Sequence, residues 1–180
     1  MNDIEFIEDG HIYLINGVIC PSVSQLVAFY LKEDFSMIPQ QILENASRFG
    51  TEVHDDIEKH LKGEFVDNEI VFAWTRDIGE RIKYISSEQI ISTDDYVGRY
   101  DLIAYVDGQE ALVDIKTNSK YPKEHLEVQL GLYLNALNKE LKTYCAWFDK
   151  RNKKWSLKIV DSISREKCQE IVEAYERVGG

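Results

Sequence analysis

The sequence predicts a single domain of mixed α/β (α+β) class, with one mixed β-sheet flanked by helices. Asp107-Gly108 joins two alternating apolar runs, which is a strong hairpin signal because a type I′ turn requires positive φ at both central residues. Apolar residues repeat every three or four positions before and after this hairpin, as in amphipathic helices. Later segments complete the order helix, three strands, helix, strand, which is typical of a sheet with helices on its faces.

The first 35 residues predict a small N-terminal β-meander and a short helix. Residues 4–20 alternate around the turn dipeptides Asp9-Gly10 and Asn16-Gly17. Ser22 and Ser24 offer hydroxyl groups that can cap a helix over residues 25–30. We therefore expect one domain over residues 1–180, with this N-terminal part packed on the rest.

Two helices and a strand are expected before the hairpin. A long helix begins near Ser36 or Pro39 and ends before Gly63, and a second helix spans residues 65–85. A strand over residues 89–93 pairs with the hairpin. The expected buried positions are Ile42, Ala46, Phe49, Val53, Ile57 and Leu61 in the first helix and Ile70, Ala73, Trp74, Ile78, Ile82 and Ile85 in the second.

A helix, two strands and a closing helix are expected after the hairpin. The first of these helices spans residues 123–139, and the strands cover residues 143–148 and 154–160. The closing helix covers residues 162–178 and lies on the sheet. The expected buried positions are Leu126, Leu130, Leu134 and Leu137 in the first helix and Ile163, Cys168, Ile171, Val172 and Tyr175 in the closing helix.

The charge distribution limits how the chain can bind nucleic acid. The net charge is -11 at pH 7, whereas phosphate binding depends on lysine and arginine. Residues 1–110 carry 8 basic and 22 acidic residues, and residues 111–180 carry 13 and 10. Lys116 lies at the end of the hairpin, Lys120 and Lys123 follow it, and four more basic residues crowd positions 150–154. We expect a local positive lip and modest, salt-sensitive DNA binding that a partner protein strengthens.

Composition also bears on the compartment and on metal chemistry. No apolar run approaches the roughly 18 residues of a membrane span, and the first five residues lack the basic start of a secretory signal. We expect a cytoplasmic protein with no membrane partner. Cys20, Cys145 and Cys168 are odd in number and widely separated, which fits neither a disulfide framework nor a zinc site.

The hairpin brings together the residues on which the predicted chemistry depends. If Val106 faces Gln109, Asp101 lies directly across from Asp114, where like charges about 5 Å apart destabilise a sheet. Lys116 shares a face with Asp114, two residues further along the strand. Two carboxylates aimed at one point, with an ammonium beside them, are typical of a hydrolytic centre that holds a divalent metal.

Four motifs resemble those of the PD-(D/E)xK nuclease superfamily, in its RecB-type branch found in phage and recombination exonucleases. They are Gly-Arg-Tyr-Asp ending at Asp101, Asp114-Ile115-Lys116, the segment Gly50-Thr51-Glu52-Val53-His54, and Gln129 followed by Tyr133. They occur in the family's order and cover residues 50–133. The first acid of the second motif is Asp rather than the commoner Glu, which the family tolerates.

The resemblance implies a metal-dependent DNA nuclease with a restriction-endonuclease-like αβββαβ core. It implies that His54, Asp101, Asp114 and the backbone carbonyl of Ile115 hold Mg²⁺ or Mn²⁺, with the histidine nitrogen favouring Mn²⁺. Lys116 would position the attacking hydroxide and neutralise the phosphate. The reaction would leave a 5′-phosphate, in an exonuclease of phage or of recombination and repair type. The branch with an iron-sulfur cluster needs four cysteines and is excluded.

Further residues are expected to contact the substrate. Gln129 and Tyr133 share a helix face, where the glutamine can bind a phosphate or the attacking water and the tyrosine the DNA. Lys120, Lys123 and Arg99 are expected to bind the DNA backbone, and a recombination or replication protein is the expected protein partner.

Several of these residues have a structural alternative. His54 would also suit the edge of a buried helix stripe, with its ring satisfied by a backbone carbonyl. Gln129 and Tyr133 would also suit a boundary pair that satisfy each other. Glu58 either orients His54 or is a solvated charge. His11, Asp94 and Asp95 are expected to be structural or solvated, and His125 is a weaker candidate for phosphate contact.

Two rival functions stay open at this stage. One is a nuclease-fold DNA-binding or scaffold protein without catalytic activity, which the intact Asp101, Asp114 and Lys116 disfavour. The other is a metal hydrolase that does not act on DNA, which would be expected to carry additional clusters of histidine and aspartate.

Overall fold

The structure, a computed structural model, describes residues 3–7 and 12–179 and has the predicted mixed α+β class. It contains eight strands and five helices in these ranges. In chain order they are β1 (Ile4–Ile7), β2 (Ile12–Ile15), β3 (Val18–Cys20), α1 (Val23–Leu31), α2 (Gln40–Leu61), α3 (Glu69–Asp77), β4 (Ile82–Ser92), β5 (Val97–Val106), β6 (Gln109–Lys116), α4 (Lys123–Leu137), β7 (Lys142–Asp149), β8 (Lys154–Ile159) and α5 (Arg165–Arg177).

A five-stranded mixed sheet, ordered β4-β5-β6-β7-β8, forms the centre of the fold. Its neighbours pair antiparallel except β6 and β7, which are parallel. Parallel strands need a crossover rather than a tight turn, and α4 provides it. The predicted order helix, three strands, helix, strand is therefore confirmed by α2, β4 to β6, α4 and β7.

The register of the central hairpin is confirmed. Asp107 and Gly108 both have positive φ, 50° and 83° respectively, as a two-residue type I′ turn requires. Pairing runs from Val106 opposite Gln109 to Leu102 opposite Val113. Asp101 and Asp114 are the next residues along their strands, just beyond the last pair of the ladder.

Helices cover both faces of the sheet. On one face α1, α4 and α5 form a core that includes Leu26, Leu130 and Ile171, all fully buried. On the other face α2 and α3 pack with Trp74 edge-on to Trp155, the ring centroids 5.0 Å apart. The predicted leucine stripe of α4 understates its burial, because α1 and α5 also contact this helix. Its buried residues are Leu126, Val128, Gln129, Leu130, Gly131, Leu132 and Tyr133.

The N-terminal part contacts the main sheet through the start of β5. Strands β1, β2 and β3 form a separate antiparallel sheet, and Tyr13, Ile15 and Cys20 pack against Val97. Ser22 caps α1 and forms a reciprocal capping box with Gln25, as its position predicts. Asp9-Gly10 and His11, assigned to this meander from the sequence, lie outside the described residues.

The helix predicted over residues 65–85 is wrong in its second part. Helix α3 is followed by a 3-10 turn, Gly79–Arg81, and β4 then begins at Ile82. Ile82 and Ile85 fit a helical spacing, but Ile82 pairs with Val106 and Ile85 is partly exposed. The long pairing of β4 with β5 thus outweighs a local periodicity that suits a helix.

The first half of α2 is exposed, contrary to the predicted stripe. Ile42 and Ala46 face solvent and Phe49 is half-buried, whereas Val53 and Ile57 are buried against the sheet. The sheet is in contact only with the second half of the helix. An apolar strip is therefore left uncovered on the first half.

Two further observations concern the helices and the cysteines. Within the described ranges, no helix has the length and apolar character needed to cross a membrane. Cys20, Cys145 and Cys168 are all buried as free thiols.

Candidate metal centre

Three elements meet where the central hairpin ends. Asp101 comes from β5, Asp114 and Lys116 come from β6, and His54 comes from the second half of α2. A cleft of about 270 Å³ opens here. Its lining residues are Ala46, Gly50, Thr51, His54, Asp55, Glu88, Arg99, Ile115, Lys116, Thr117 and Asn118. The structure thus brings together the motif residues of α2, β5 and β6.

Just beyond the last pair of the hairpin, the side chain of Asp101 takes the place of a backbone hydrogen-bond acceptor. Its Oδ2 accepts a hydrogen bond of 2.7 Å from the backbone N–H of Ile115. This bond fixes one carboxylate oxygen, while Oδ1 lies 3.7 Å from Nδ1 of His54. The carboxylate therefore points toward the histidine at the edge of the cleft.

Asp114 and Lys116 form a buried ion pair. Nζ of Lys116 lies 2.9 Å from Oδ2 of Asp114, whose side chain is only 1% exposed. The contact lacks hydrogen-bond geometry, and neither oxygen of Asp114 accepts a hydrogen bond from any described residue. Burial raises the pKa of Asp114, while the acids Asp114 and Asp101 outweigh burial and raise the pKa of Lys116.

His54 uses one ring nitrogen on the backbone and turns the other toward the acids. Its Nε2 lies 2.9 Å from the carbonyl oxygen of Ile115, which can only accept, so Nε2 carries the proton. Nδ1 faces Asp101 at 3.7 Å and Glu88 at 3.9 Å. Burial alone would lower the pKa of His54, but Asp101, then Glu88 and Asp114, raise it to about 9.

The backbone contact of His54 bears on two predictions. A histidine at the edge of the core would be expected to donate to a backbone carbonyl, as His54 does. That alternative does not account for the two carboxylates at the other ring nitrogen. Histidines that bind metal commonly donate their second N–H to a backbone carbonyl, which fixes the ring. The Ile115 carbonyl, predicted as a ligand, is thus engaged by His54 and retains one free lone pair.

Glu88 is a site residue that the sequence analysis missed. It lies in β4 at the position facing Asp101, with φ of 52°, a left-handed conformation that glutamate rarely adopts. Its neighbour Ser87 donates a hydrogen bond to Glu58 of α2, and Glu58 also pairs with Lys62 at 2.9 Å. Glu58 therefore ties β4 to α2 beside the site instead of orienting His54.

His54, Glu88 and Asp101 have a geometry that suits a divalent cation. One ligand atom from each lies within 4.8 Å of the other two. Asp114 lies beside this group with no hydrogen bond to either oxygen, and Lys116 is its ion-pair partner. A mixed nitrogen and oxygen donor set of this kind fits Mn²⁺ as well as Mg²⁺.

Gly50 lies one turn before His54 and also lines the cleft. A Cβ at this position would meet only Oγ1 of Thr117, at 3.9 Å, which is an ordinary contact. Packing within the fold therefore does not require glycine here. The missing side chain leaves room on the cleft side.

Gln129 and Tyr133 lie on α4 and are both buried. Nε2 of Gln129 donates a hydrogen bond of 3.1 Å to the Tyr133 hydroxyl, but the other amide atom, Oε1, has no partner among the described residues. The two side chains therefore satisfy only part of each other's hydrogen-bonding capacity. Burial first, then Asp101 and Asp114, raises the pKa of Tyr133, so this hydroxyl lies near both acids and stays protonated.

Gly98 explains how Tyr133 reaches the strand. A Cβ on Gly98 would lie 2.7 Å from the Tyr133 ring and 2.8 Å from Val23. Only glycine allows this close approach of α4 to β5. The glycine of the Gly-Arg-Tyr-Asp motif is thus required by packing beside Asp101.

The remaining predicted residues differ in position. Arg99 lines the cleft and pairs with Glu88 at 2.9 Å. Lys120 lies in the loop after β6, outside the cleft. Lys123 does not line this cleft and pairs with Glu127 at 3.6 Å. His125 is paired with Glu33 at 2.8 Å, which removes the reason to expect a phosphate contact.

Comparison with known proteins bears on the fold alone. No protein-family model matches this chain, and neither does any curated protein. Among solved structures, it is similar to the one titled "Crystal structure of SSO0001", with a TM-score of 0.54 and 17% sequence identity. The match covers 89% of this chain and 76% of that one, so the two proteins share an architecture.

Proposed function

We propose that this protein is a metal-dependent DNA nuclease, acting as an exonuclease that leaves a 5′-phosphate. One observation carries the proposal. His54, Glu88 and Asp101 converge beside the buried pair of Asp114 and Lys116, at the rim of an open cleft. The same residues, Glu88 excepted, belong to motifs that resemble those of RecB-type nucleases.

The metal is proposed to be Mg²⁺ or Mn²⁺. His54, Glu88 and Asp101 would hold it, with Asp114 and the Ile115 carbonyl as the further ligands that the resemblance implies. A bound cation of this kind activates a water and stabilises negative charge on the scissile phosphate. Nδ1 of His54 must lose its proton to act as a ligand. The neutral ring can then keep its one proton on Nε2, where it is donated to the Ile115 carbonyl.

Lys116 is proposed to orient the attacking water and to neutralise a phosphate oxygen. Its ammonium lines the cleft and is held charged by Asp114. Because the side chain is only 17% exposed, the charge acts in a poorly solvated site, where its electrostatic effect is larger than in water.

Gln129 and Tyr133 are proposed to contact the substrate from α4. The unpartnered Oε1 of Gln129 can accept a hydrogen bond from a water, and the protonated Tyr133 hydroxyl can donate one to a phosphate oxygen. The protein is further proposed to act in the cytoplasm with a recombination or replication partner that supplies DNA affinity.

The proposal is tested with DNA labelled at the 5′ or 3′ end, single-stranded and duplex, with Mg²⁺, Mn²⁺ or EDTA. We expect cleavage that EDTA abolishes. Asp101→Asn should fold, because its amide oxygen can still accept from the Ile115 N–H, yet it should lose at least about 100-fold in activity. Asp95→Asn, in an exposed turn, is the matched control and should behave as wild type.

Two results would decide against the proposal. Undiminished cleavage by folded Asp101→Asn would remove the candidate site. Failure of the wild-type protein to cut any of these DNAs, despite a thermal shift with Mn²⁺, would favour the scaffold protein without catalytic activity.

A further inference from the structure

A groove of about 500 Å³ continues from the candidate metal cleft. We call it the side groove. The two share Ala46, Thr117 and Asn118, so a chain leaving the cleft can enter the groove directly. Its lining residues are Phe35, Ile38, Ile42, Leu43, Ala46, Thr117, Asn118, Ser119, Lys120, Tyr121, Pro122 and Lys150.

One wall of the side groove is apolar and uncovered. Phe35 is 50% exposed and Ile42 58%, on the first half of α2 and the segment before it. The second half of the same helix buries its apolar residues against the sheet, so the exposure is confined to the part beside the groove. A contiguous exposed apolar surface of this kind commonly marks a binding site.

The opposite wall of the side groove is a loop that is held in place by contacts with the residues behind it. The loop over residues 117–122 is held by Trp147, whose Nε1 donates a hydrogen bond of 2.9 Å to the carbonyl of Asn118. Tyr121 packs edge-on to Trp147, and Nζ of Lys158 lies 4.5 Å from the Tyr121 ring centroid and 4.6 Å from that of Trp147. Tyr121 is thereby fixed in place as part of the groove.

The charge of the side groove is opposite to that of the chain. None of its lining residues is acidic, although the protein carries a net charge of -11. Two lysines line it, and neither forms an ion pair with a described residue. Lys120 lies in the exposed loop, and Nζ of Lys150 lies 4.2 Å from the Phe49 ring. The lining therefore suits an anionic ligand that also offers flat apolar faces.

We propose that the side groove binds a single strand of DNA that extends from the metal cleft. Its bases would stack on Phe35 and Tyr121, and its phosphates would lie beside Lys120 and Lys150. This rests on the proposed nuclease function and names its substrate class. Duplex DNA fits less well, because its bases are turned inward and its affinity depends on many phosphate contacts, whereas a single strand can gain from stacking.

The test measures fluorescence anisotropy of a labelled single strand of about 15 nucleotides and of its duplex, in EDTA so that neither is cut. Wild type should bind the strand at least about tenfold more tightly than the duplex. Phe35→Ala should weaken binding of the strand about 5- to 140-fold, the range expected for the loss of one base stack. Phe35→Leu keeps an apolar side chain without a ring and should show the same loss, which also serves if the alanine variant fails to fold.

The control is Phe72→Ala. Phe72 is also 50% exposed but lies on α3 and does not line the side groove. Its replacement should leave the binding of both DNAs unchanged. Equal loss in Phe35→Ala and Phe72→Ala, or wild-type affinity in Phe35→Leu, would overturn the proposal, as would tighter binding of an RNA strand of the same sequence.

The binding test is independent of the test of nuclease activity. A protein that binds the strand through Phe35 but cuts no DNA would retain the groove as a binding site and lose the proposed activity. A protein that cuts DNA, and whose Phe35→Leu variant binds and cuts single strands as wild type does, would retain the activity and lose the groove.

Discussion

At the scale of single residues, Asp114 and Lys116 make the strongest prediction about stability. Asp114 is buried and Lys116 is only 17% exposed, and each charge is balanced mainly by the other, so removing one leaves an uncompensated charge. We expect Lys116→Met and Asp114→Asn each to lower the free energy of unfolding by roughly 3–5 kcal/mol. The double variant should lose clearly less than the sum, as measured by denaturant unfolding in EDTA.

The outcome of this double-mutant cycle separates two roles of Lys116. Additive losses would show that the two side chains do not depend on each other, which contradicts the ion pair. In every variant that lacks Lys116, cleavage should be lost even if stability is restored, because the ammonium is proposed to act on the phosphate itself.

The second prediction at this scale concerns the backbone of Glu88. Its left-handed φ of 52° costs a residue other than glycine about 1–2 kcal/mol. Glu88→Gly should therefore raise thermal stability in EDTA, or leave it unchanged where the lost Arg99 ion pair offsets the gain. Glu88→Gln keeps the unfavourable backbone and should not raise it. Both variants should weaken Mn²⁺ binding in calorimetry, and unaltered Mn²⁺ affinity would remove Glu88 from the site.

The sequence predicted Asp101, Asp114, Lys116 and His54 together but not Glu88, and the reason is local. The first four follow from a hairpin register and a motif order, both of which can be read from residue spacing. Glu88 lies just before the strand predicted over residues 89–93, and its positive φ has no composition signal. Extending the predicted strand backwards would have placed position 88 opposite Asp101.

At the scale of elements, the packing of α4 on β5 depends on Gly98. A methyl group there would lie too close to the Tyr133 ring and to Val23, so one of them must move. We expect Gly98→Ala to lower the free energy of unfolding by about 1–3 kcal/mol and to reduce kcat by displacing Tyr133 from the acids. Thermal denaturation and single-turnover cleavage measure the two effects.

Gly79→Ala is the control for this substitution. Its φ is not left-handed, and the nearest atom to a new Cβ lies at 3.5 Å, an ordinary contact. It should leave cleavage unchanged. If Gly98→Ala had full activity and normal stability, the close approach of Tyr133 to β5 would not matter to the site.

Element prediction succeeded where local signals agreed with the tertiary environment. The Asp107-Gly108 turn and the Ser22 cap are set by local backbone and hydrogen-bond requirements, and both are where the sequence predicts them. The start of β4 is predicted as helix because the spacing of Ile82 and Ile85 suits a helix and does not follow the two-residue period of a strand. The uncovered half of α2 could not be foreseen, because an apolar stripe does not reveal how far the sheet extends beneath it.

At the scale of the whole molecule, the conflict between an acidic chain and an anionic substrate makes charge effects depend on position. The acid is concentrated in residues 1–110, while the cleft and the side groove draw their lysines from the later part of the chain. The affinity for DNA should therefore depend on a few lysines beside the groove rather than on the net charge.

Charge reversal tests this directly. Lys120→Glu and Lys150→Glu should each weaken binding of a single strand and reduce the slope of log K against log salt by about 0.7, the value for one lost phosphate contact. Lys59→Glu makes the same change in net charge on the exposed side of α2 outside the groove and should leave the slope unaltered. If all three variants weakened binding equally with an unchanged slope, long-range repulsion by the acidic chain would control affinity, and Lys120 and Lys150 would not contact the phosphates.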